Sequence, residues 1–99
     1  MKSRKLYVLV RKDLTTSQQA VQSGHAVAEF LLRGPFTLWG NGTLVYLGVR
    51  DERELKYWHR KLTMTGSNPV PFHEPDMDNE MTALATECRN GLLKKLRLL

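Results

Sequence analysis

Residues 5 to 31 constrain the fold more than any other segment of the chain. Lys5 to Arg11 is an apolar, β-branched run that ends in charged residues, and a capped helical pattern opens a few residues later. An apolar strand that leads into a capped helix is typical of the start of an α/β domain. Four polar side chains of that helix fall at i, i+4, i+7 and i+11 and are predicted to form a narrow stripe outside the core: Gln18, Gln22, His25 and Glu29.

Local signals fix both ends of this first helix. Thr15 and Thr16 are equally good N-terminal caps, because each is followed three residues later by a glutamine. The helix is predicted to end at Arg33, since Gly34 can adopt the left-handed conformation and Pro35 cannot continue the helical hydrogen bonds. Its buried side is predicted to consist of apolar residues, several of them small enough for close approach to the sheet: Ala20, Val21, Gly24, Val27, Ala28 and Leu31.

The next two elements are a strand and a helix. Thr43 to Val49 is a nearly continuous apolar run, predicted to be a central strand of a sheet that is covered on both faces. Asp51 with Glu54 caps a second helix. Its apolar side is predicted to face the sheet with Leu55, Trp58 and Leu62. Its solvent side carries a basic ridge that includes Arg53, Lys56 and Arg60.

A third strand is predicted over Pro69 to His73, followed by an acidic loop from Glu74 to Met81 and a fourth strand from Thr82 to Thr86. The order βαβαββ predicts a layered α/β fold with a right-handed parallel crossover between the first two strands. Residues 1 to 99 are expected to form a single domain, because the chain can bury one core but not two.

Composition excludes several classes of protein. Hydrophobic residues make up 41% of the chain and charged residues 25%, which is ordinary for a globular domain. The lone Cys88 and the lack of a secretory leader pattern favour a reduced, cytoplasmic protein, and no apolar run is long enough for a membrane helix. The spacing of the histidines disfavours a zinc site, and no phosphate-binding glycine loop is present, so no cofactor is expected.

The net charge is +5, with basic clusters at both ends of the chain and on the second helix. Lysine and arginine clusters attract phosphate backbones, but many small basic proteins carry them only as a solvated surface, and both interpretations stay open. In the terminal clusters the basic residues are Lys2, Arg4, Lys5, Arg89, Lys94, Lys95 and Arg97. The residues predicted to contact RNA are Arg11, Arg53, Lys56, Arg60 and Lys61.

Three segments resemble the type-2 peptidyl-tRNA hydrolase family: Val8 to Leu14, Gln22 to Ala26, and the strand Thr82 to Ala85, which is entered from an acidic loop. The resemblance implies a mixed four-stranded sheet flanked by helices and hydrolysis of the ester between a peptide and the terminal ribose of a tRNA. It implies no metal or cofactor. Gln22 and His25 match the helix motif of the family, and Asp76 and Thr82 stand where it has its acidic loop and hydroxyl. At the position of the family's catalytic lysine the chain has Gln18.

Each candidate residue has a chemical role and a structural alternative. His25 can accept a proton from water at neutral pH, or it can be a structural hydrogen bonder. Gln22 can orient water or donate to an oxyanion, although a helix glutamine is often only a good helix former. Asp76 or Asp78 can orient His25 if the loop folds back over the first helix, and Thr82 can bind substrate. Otherwise the acidic loop is a solvated turn and Thr82 is a strand former.

Four aromatic residues are candidates for base stacking: Phe36, Trp39, Tyr57 and Trp58. Phe36 and Trp39, in the loop after the first helix, are preferred over Trp58, which lies on the apolar face of the second helix.

Three functions therefore compete. The first is a peptidyl-tRNA hydrolase. The second is a catalytically inactive tRNA- or RNA-binding relative, suggested by Gln18. The third is a small interaction protein that docks onto a partner, or onto a second copy as a homodimer, through its basic C-terminal segment. The leucines of that segment are Leu92, Leu93, Leu96, Leu98 and Leu99.

Overall fold

A computed structural model describes residues 4–88 and 91–99; Lys2 and Arg89 of the terminal basic clusters lie outside these ranges. The helices and strands, in chain order, are β1 (Lys5–Arg11), α1 (Thr16–Arg33), β2 (Thr43–Val49), α2 (Glu52–Met64), β3 (Val70–Glu74), β4 (Glu80–Thr86) and β5 (Arg97–Leu98). Short 3-10 turns occupy Pro75–Met77 and Leu92–Lys95. The α/β class and the order βαβαββ are confirmed, with one further short strand at the end.

The sheet is mixed and has five strands in the order β3-β4-β1-β2-β5. β1 and β2 are parallel, as predicted, and the other neighbours are antiparallel. The central strand is β1, so the prediction that β2 would be central is wrong. Among the described residues only the two-residue β5 pairs with the outer edge of β2, at Leu47 and Gly48, and the side chain of Leu44 is exposed. The apolar sequence pattern of β2 does not indicate how many strands lie on each side of it.

The two helices lie on opposite faces of the sheet, each over its own apolar cluster. α2 contributes Leu55, Trp58 and Leu62 to the cluster that contains Leu9 and Leu84, as its sequence predicts. α1 contributes Ala26 and Phe30 to the other cluster. The remaining buried residues of that cluster come from the sheet and from the loop after α1: Leu6, Val8, Val10, Trp39, Ala83 and Ala85. Within the described residues, none of the helices is sufficiently long and apolar to span a membrane.

The ends of α1 follow the predicted signals with one difference. Thr15 is the N-cap, and its hydroxyl accepts a hydrogen bond from the backbone N–H of Gln18. The helix ends at Arg33, but Gly34 is extended rather than left-handed, with φ −82° and ψ −173°. Glycine is needed there for space, because a Cβ on Gly34 would collide with the backbone carbonyl oxygen of Phe30.

The predicted buried side of α1 is wrong. The buried residues are Gln22, Ser23, Ala26 and Phe30, whereas Ala20, Val21, Gly24, Ala28 and Leu31 are exposed and Val27 is partly buried. The helix is thus rotated so that an amide and a hydroxyl face the sheet and an apolar arc faces outward. Gln22, predicted to lie outside the core, is completely buried.

Candidate functional site

The centre of the candidate site is a buried pair formed by Gln22 on α1 and Thr82 on β4. The Thr82 hydroxyl donates a hydrogen bond of 2.7 Å to the Gln22 side-chain oxygen. Both residues have no solvent exposure, although they are 60 positions apart in the chain. A direct contact between two of the four predicted catalytic residues is an arrangement that neither motif could specify alone.

An irregularity in β4 directs Thr82 toward α1. Phe72 of β3 pairs with Ala83, and the next residue, His73, pairs with Met81, so Thr82 is skipped in the register. A bulge of this kind changes which face of the sheet a side chain points to, and bulges are frequent next to active sites. Met81 packs in the α2 cluster and Ala83 in the α1 cluster, and the extra residue between them brings the Thr82 hydroxyl to Gln22.

Glu74, at the end of β3, is the third member of the cluster, and the sequence did not single it out as a candidate for catalysis. Its Oε1 accepts a 2.8 Å hydrogen bond from Gln22 Nε2, and its Oε2 accepts a 3.3 Å bond from the backbone N–H of Asp76. These two bonds, the first above all, and the proximity of His25 hold the pKa of Glu74 below its ordinary value. Glu74 is therefore an ionised carboxylate at neutral pH.

The Gln22 amide has no free hydrogen-bonding capacity on its nitrogen. Nε2 donates to Glu74 and, at 3.0 Å, to the side-chain oxygen of Gln18. An amide nitrogen carries two hydrogens, so both are used. In this arrangement Gln22 orients Thr82 and Glu74, and it does not have a hydrogen left for an oxyanion.

His25 lies on the same flank of α1 and is exposed, with its ring stacked on that of Phe72. The ring centroids are 4.4 Å apart and the planes differ by 5°. Stacking on β3 restricts the orientation of the imidazole while its edge faces solvent. The structure thus brings His25, Gln22 and Thr82 to one side of the sheet, with Glu74 at the end of β3 bonded to Gln22.

Asp76 and Asp78 are both exposed in the turn between β3 and β4. The turn is closed by a backbone hydrogen bond from Asn79 to the carbonyl of Glu74, and Asp78 and Asn79 have left-handed backbones. The carboxylate that reaches α1 is that of Glu74. The role predicted for Asp76 therefore stays a prediction, and it would require a different conformation of the turn or a bridging water.

Arg11, predicted to contact RNA, is buried at the end of β1. Its guanidinium bonds both oxygens of Asp13 at 2.9 and 2.8 Å and one oxygen of Glu80 at 2.7 Å. The hydrogen bond to Asp13 is the main reason that the pKa of Arg11 is raised, and the same bond lowers the pKa of Asp13. Arg11 thus ties β1 to the start of β4, and an RNA contact would require this ion pair to open.

The other four residues predicted to contact RNA are exposed on α2: Arg53, Lys56, Arg60 and Lys61. Lys56 lies 3.5 Å from Glu52, and the remaining three have no ion-pair partner among the described residues. Because α2 covers the face of the sheet opposite to α1, this basic ridge does not adjoin Gln22 and Thr82. A nucleic acid bound along α2 must pass round the sheet edge to reach them.

Lys12, which is not among the residues predicted to contact RNA, is an exposed cation on the α1 side of the sheet. Gly48 pairs with Val10, whose side chain is in the α1 cluster, and a Cβ on Gly48 would lie 2.6 Å from Lys12 Cδ. The lysine chain therefore crosses Gly48 on that face. Its backbone carbonyl lies 3.4 Å from the side-chain nitrogen of Gln19, so Lys12 is a cation close to the start of α1.

The two aromatic residues preferred for base stacking, Trp39 and Phe36, differ in solvent exposure. Trp39 is buried and donates its indole N–H to the carbonyl of Thr43 at 2.9 Å, so it belongs to the core. Phe36 is 88% exposed and lines a cleft of about 400 Å³ with Pro35, Ser67 and Asn68. This cleft lies beyond the C-terminal end of α1, away from Gln22.

Within residues 4–88 and 91–99 no three histidine, cysteine, aspartate or glutamate side chains are grouped so that they could hold a metal ion. No protein-family model matches the chain, and no curated protein matches its sequence. What the site can do must be inferred from its own chemistry: an ionised carboxylate, a hydroxyl held by an amide, and an exposed imidazole stacked on an aromatic ring. The imidazole and the carboxylate suit proton transfer from water, whereas the Thr82 hydroxyl is buried and donates its hydrogen to Gln22, so it supports the site from inside.

Proposed function

We propose that this chain is a cytoplasmic peptidyl-tRNA hydrolase-like protein that cleaves the ester between a peptide and the 3′-terminal ribose of a tRNA. The observation that supports the proposal is the buried hydrogen bond between Gln22 and Thr82, because these residues come from two separate segments that resemble the type-2 family. Burying an amide and a hydroxyl is unfavourable unless both are bonded, so a sequence selected for stability alone would favour apolar residues there.

In the proposed reaction His25 removes a proton from a water molecule, which attacks the ester carbonyl. Glu74, kept ionised by its bond from Gln22, stabilises the imidazolium that forms. The proton then passes to the ribose oxygen as the leaving group departs, and the products are a free peptide and a free tRNA. Thr82, oriented by Gln22, lies at the floor of the site, and no cofactor is required.

The test is release of labelled peptide from a peptidyl-tRNA. Wild type is compared with His25→Ala and Glu74→Gln, and Asp76→Asn tests the role predicted for the acidic turn. His73→Ala is the matched control, because His73 is also exposed but adjoins His59 of α2 on the other side of the sheet. We expect losses of about 100-fold or more for His25→Ala, in the range of general-base catalysis. Equal rates for His25→Ala and His73→Ala would refute the assignment.

A second function, binding of tRNA without hydrolysis, is favoured by Gln18. At this position the family's lysine would be a cation beside Glu74, whereas Gln18 only accepts a hydrogen bond from Gln22. If wild type releases no peptide but binds tRNA with a salt-sensitive affinity, the binding function is correct. If it neither hydrolyses nor binds, both proposals fail.

Two basic surfaces can serve the RNA contact, and matched substitutions separate them. Lys12→Gln removes a cation on the α1 side, and Lys61→Gln removes one on α2. A residue that contacts a phosphate should lower the slope of log affinity against log salt by about 1 when it is neutralised. The substitution that changes the slope identifies the surface.

The third function, docking through the C-terminal leucines, has the least support. Leu93 is buried, and Leu92 and Leu96 pack against the α2 cluster of the same chain. Only Leu98 and Leu99 of this segment are exposed, which leaves little apolar surface for a partner or a second copy.

A further inference from the structure

The outward face of α1 is apolar along its length, which is unusual for a helix on the surface of a small domain. Val21 is 48% exposed, Leu31 53% and Leu32 77%, and Ala20, Gly24 and Ala28 are exposed between them. The charged side chains of the helix, Glu29 and Arg33, bond to each other at 2.8 Å, and Glu29 is partly buried at the flank. Surface helices normally direct charged and polar residues to solvent.

Gly24 adds an independent observation. Glycine in the middle of a helix is destabilising, and it is normally retained where another group approaches closely. A Cβ at Gly24 would meet no atom of the described chain within 4 Å. The space over Gly24 is therefore open, and the backbone of a neighbouring helix could approach it closely.

We propose that α1 packs against α1 of a second copy of this chain in an antiparallel, two-fold symmetric dimer. The exposed apolar residues have a spacing that is symmetric about position 26: Val21 and Leu31 are each five residues away, and Gly24 and Ala28 are each two away. In an antiparallel pair, Gly24 faces Ala28 of the other copy and Val21 faces Leu31. Helix axes approach closely where the side chains between them are small, and larger side chains fill the space where the axes diverge.

A two-fold interface uses the same patch on both copies, so the patch must complement itself. The outward face of α1 meets this condition, since it presents no charge that would be paired with a like charge across the axis. Its exposed apolar area is on the order of 500 Å², comparable with the largest apolar patch of a typical monomeric protein, which is often functional. This is below the roughly 800 Å² per partner of a standard stable complex. The dimer is therefore expected to be reversible and to dissociate on dilution. The proposal does not depend on the hydrolase activity.

The first measurement is sedimentation velocity of the full chain, free of nucleic acid, over a roughly thousandfold range of concentration. We expect a reversible shift from monomer to dimer. Because each copy carries a net charge of +5, salt should screen their repulsion and strengthen the dimer. Dimers bridged by RNA would weaken with salt instead. A monomer at every concentration, or a dimer that weakens with salt, would overturn the proposal.

Gly24→Glu places a charge at the centre of the interface without a steric conflict inside the domain. It should reduce the association constant of the dimer at least tenfold, while the circular dichroism spectrum and the melting temperature of the monomer stay unchanged. Met64→Glu is the matched control, because Met64 is 82% exposed on α2 and lies outside the proposed interface. An undiminished dimer in Gly24→Glu, or an equal loss in Met64→Glu, contradicts the assignment to α1.

Cross-linking tests the antiparallel geometry directly. In a Cys88→Ser background, protomers carrying V21C should form disulfides with protomers carrying L31C under mild oxidation. V21C alone should form few, because two Val21 positions lie at opposite ends of the helix pair. A strong V21C–V21C product would indicate parallel helices and refute the antiparallel arrangement.

Discussion

Replacing Thr82 by valine tests whether the Gln22–Thr82 pair is the energetic centre of the site. Valine has nearly the shape of threonine but cannot donate a hydrogen bond. The Gln22 side-chain oxygen, which accepts the 2.7 Å bond and is completely buried, is then left without a donor. An unsatisfied buried acceptor costs about 1–3 kcal/mol of unfolding free energy. We expect Thr82→Val to lower stability by about 2 kcal/mol.

The double variant distinguishes this cause from simple loss of packing. Gln22→Leu alone leaves the Thr82 hydroxyl buried without an acceptor, so it should cost a similar amount. In Gln22→Leu/Thr82→Val neither residue has an unsatisfied group, and Glu74, partly exposed, can bond to water instead. The double variant should therefore lose about 1–3 kcal/mol less than the sum of the single losses.

Urea unfolding and thermal melts measure these differences. A loss of about 2 kcal/mol should lower the urea midpoint by about 1–2 M at constant slope and the melting temperature by roughly 8–16 °C. Thr43→Val, an exposed threonine at the start of β2, is the control and should stay within about 0.5 kcal/mol of wild type. A Thr82→Val loss below about 0.5 kcal/mol, or single losses that add in the double variant, would refute the reasoning.

Three further predictions concern the ends of the site and of its helix. The pKa of Glu74 is lowered from its ordinary 4.5 in the folded chain, so its contribution to stability is complete above pH 4.5 and is lost as the pH falls through the lowered pKa. The difference in melting temperature between wild type and Glu74→Gln should therefore disappear in acid. A difference that stays constant with pH would contradict this. Gln18→Lys should place an ammonium beside Glu74 and increase the rate of peptide release if the site lacks a cation. If wild type is active and Gln18→Lys releases peptide at the same rate, the lysine is dispensable. Gly34→Ala should lower the free energy of unfolding, measured in urea, by about 1–3 kcal/mol, because the added Cβ collides with the carbonyl of Phe30. Gly40→Ala should be nearly neutral, because its Cβ would meet no atom of the described residues within 4 Å.

Local signals explain what the sequence predicted well. The Thr15 cap, the Arg33 end of α1 and the buried face of α2 each depend on residues within one or two turns, and all three are confirmed. β5 has only two residues, which is too short for any periodicity in the sequence to predict it. The two partners of Gln22 on other elements lie 52 residues away in β3 and 60 residues away in β4, and a bulge in β4 directs the second one toward α1; no local pattern encodes either contact.

The largest failure of prediction, the rotation of α1, is connected to the site itself. A helix on a sheet can bury one arc, and burying the exposed half of Val21 or Leu31 would gain about 1 kcal/mol each, since complete burial of such a side chain gains about 1.5–3 kcal/mol. α1 instead buries Gln22 and Ser23 and leaves Val21 and Leu31 outside. Rotating the helix to bury those two apolar residues would break the bonds from Gln22 to Glu74 and from Thr82 to Gln22. The hydrogen bonds of Gln22 and the packing of Ala26 and Phe30 in the α1 cluster together hold the helix in this orientation. Places where a chain breaks the burial rule in this way are expected at functional sites. A second copy of α1 would cover the apolar arc that this orientation exposes, so the same rotation accounts for both the buried cluster and the outward face.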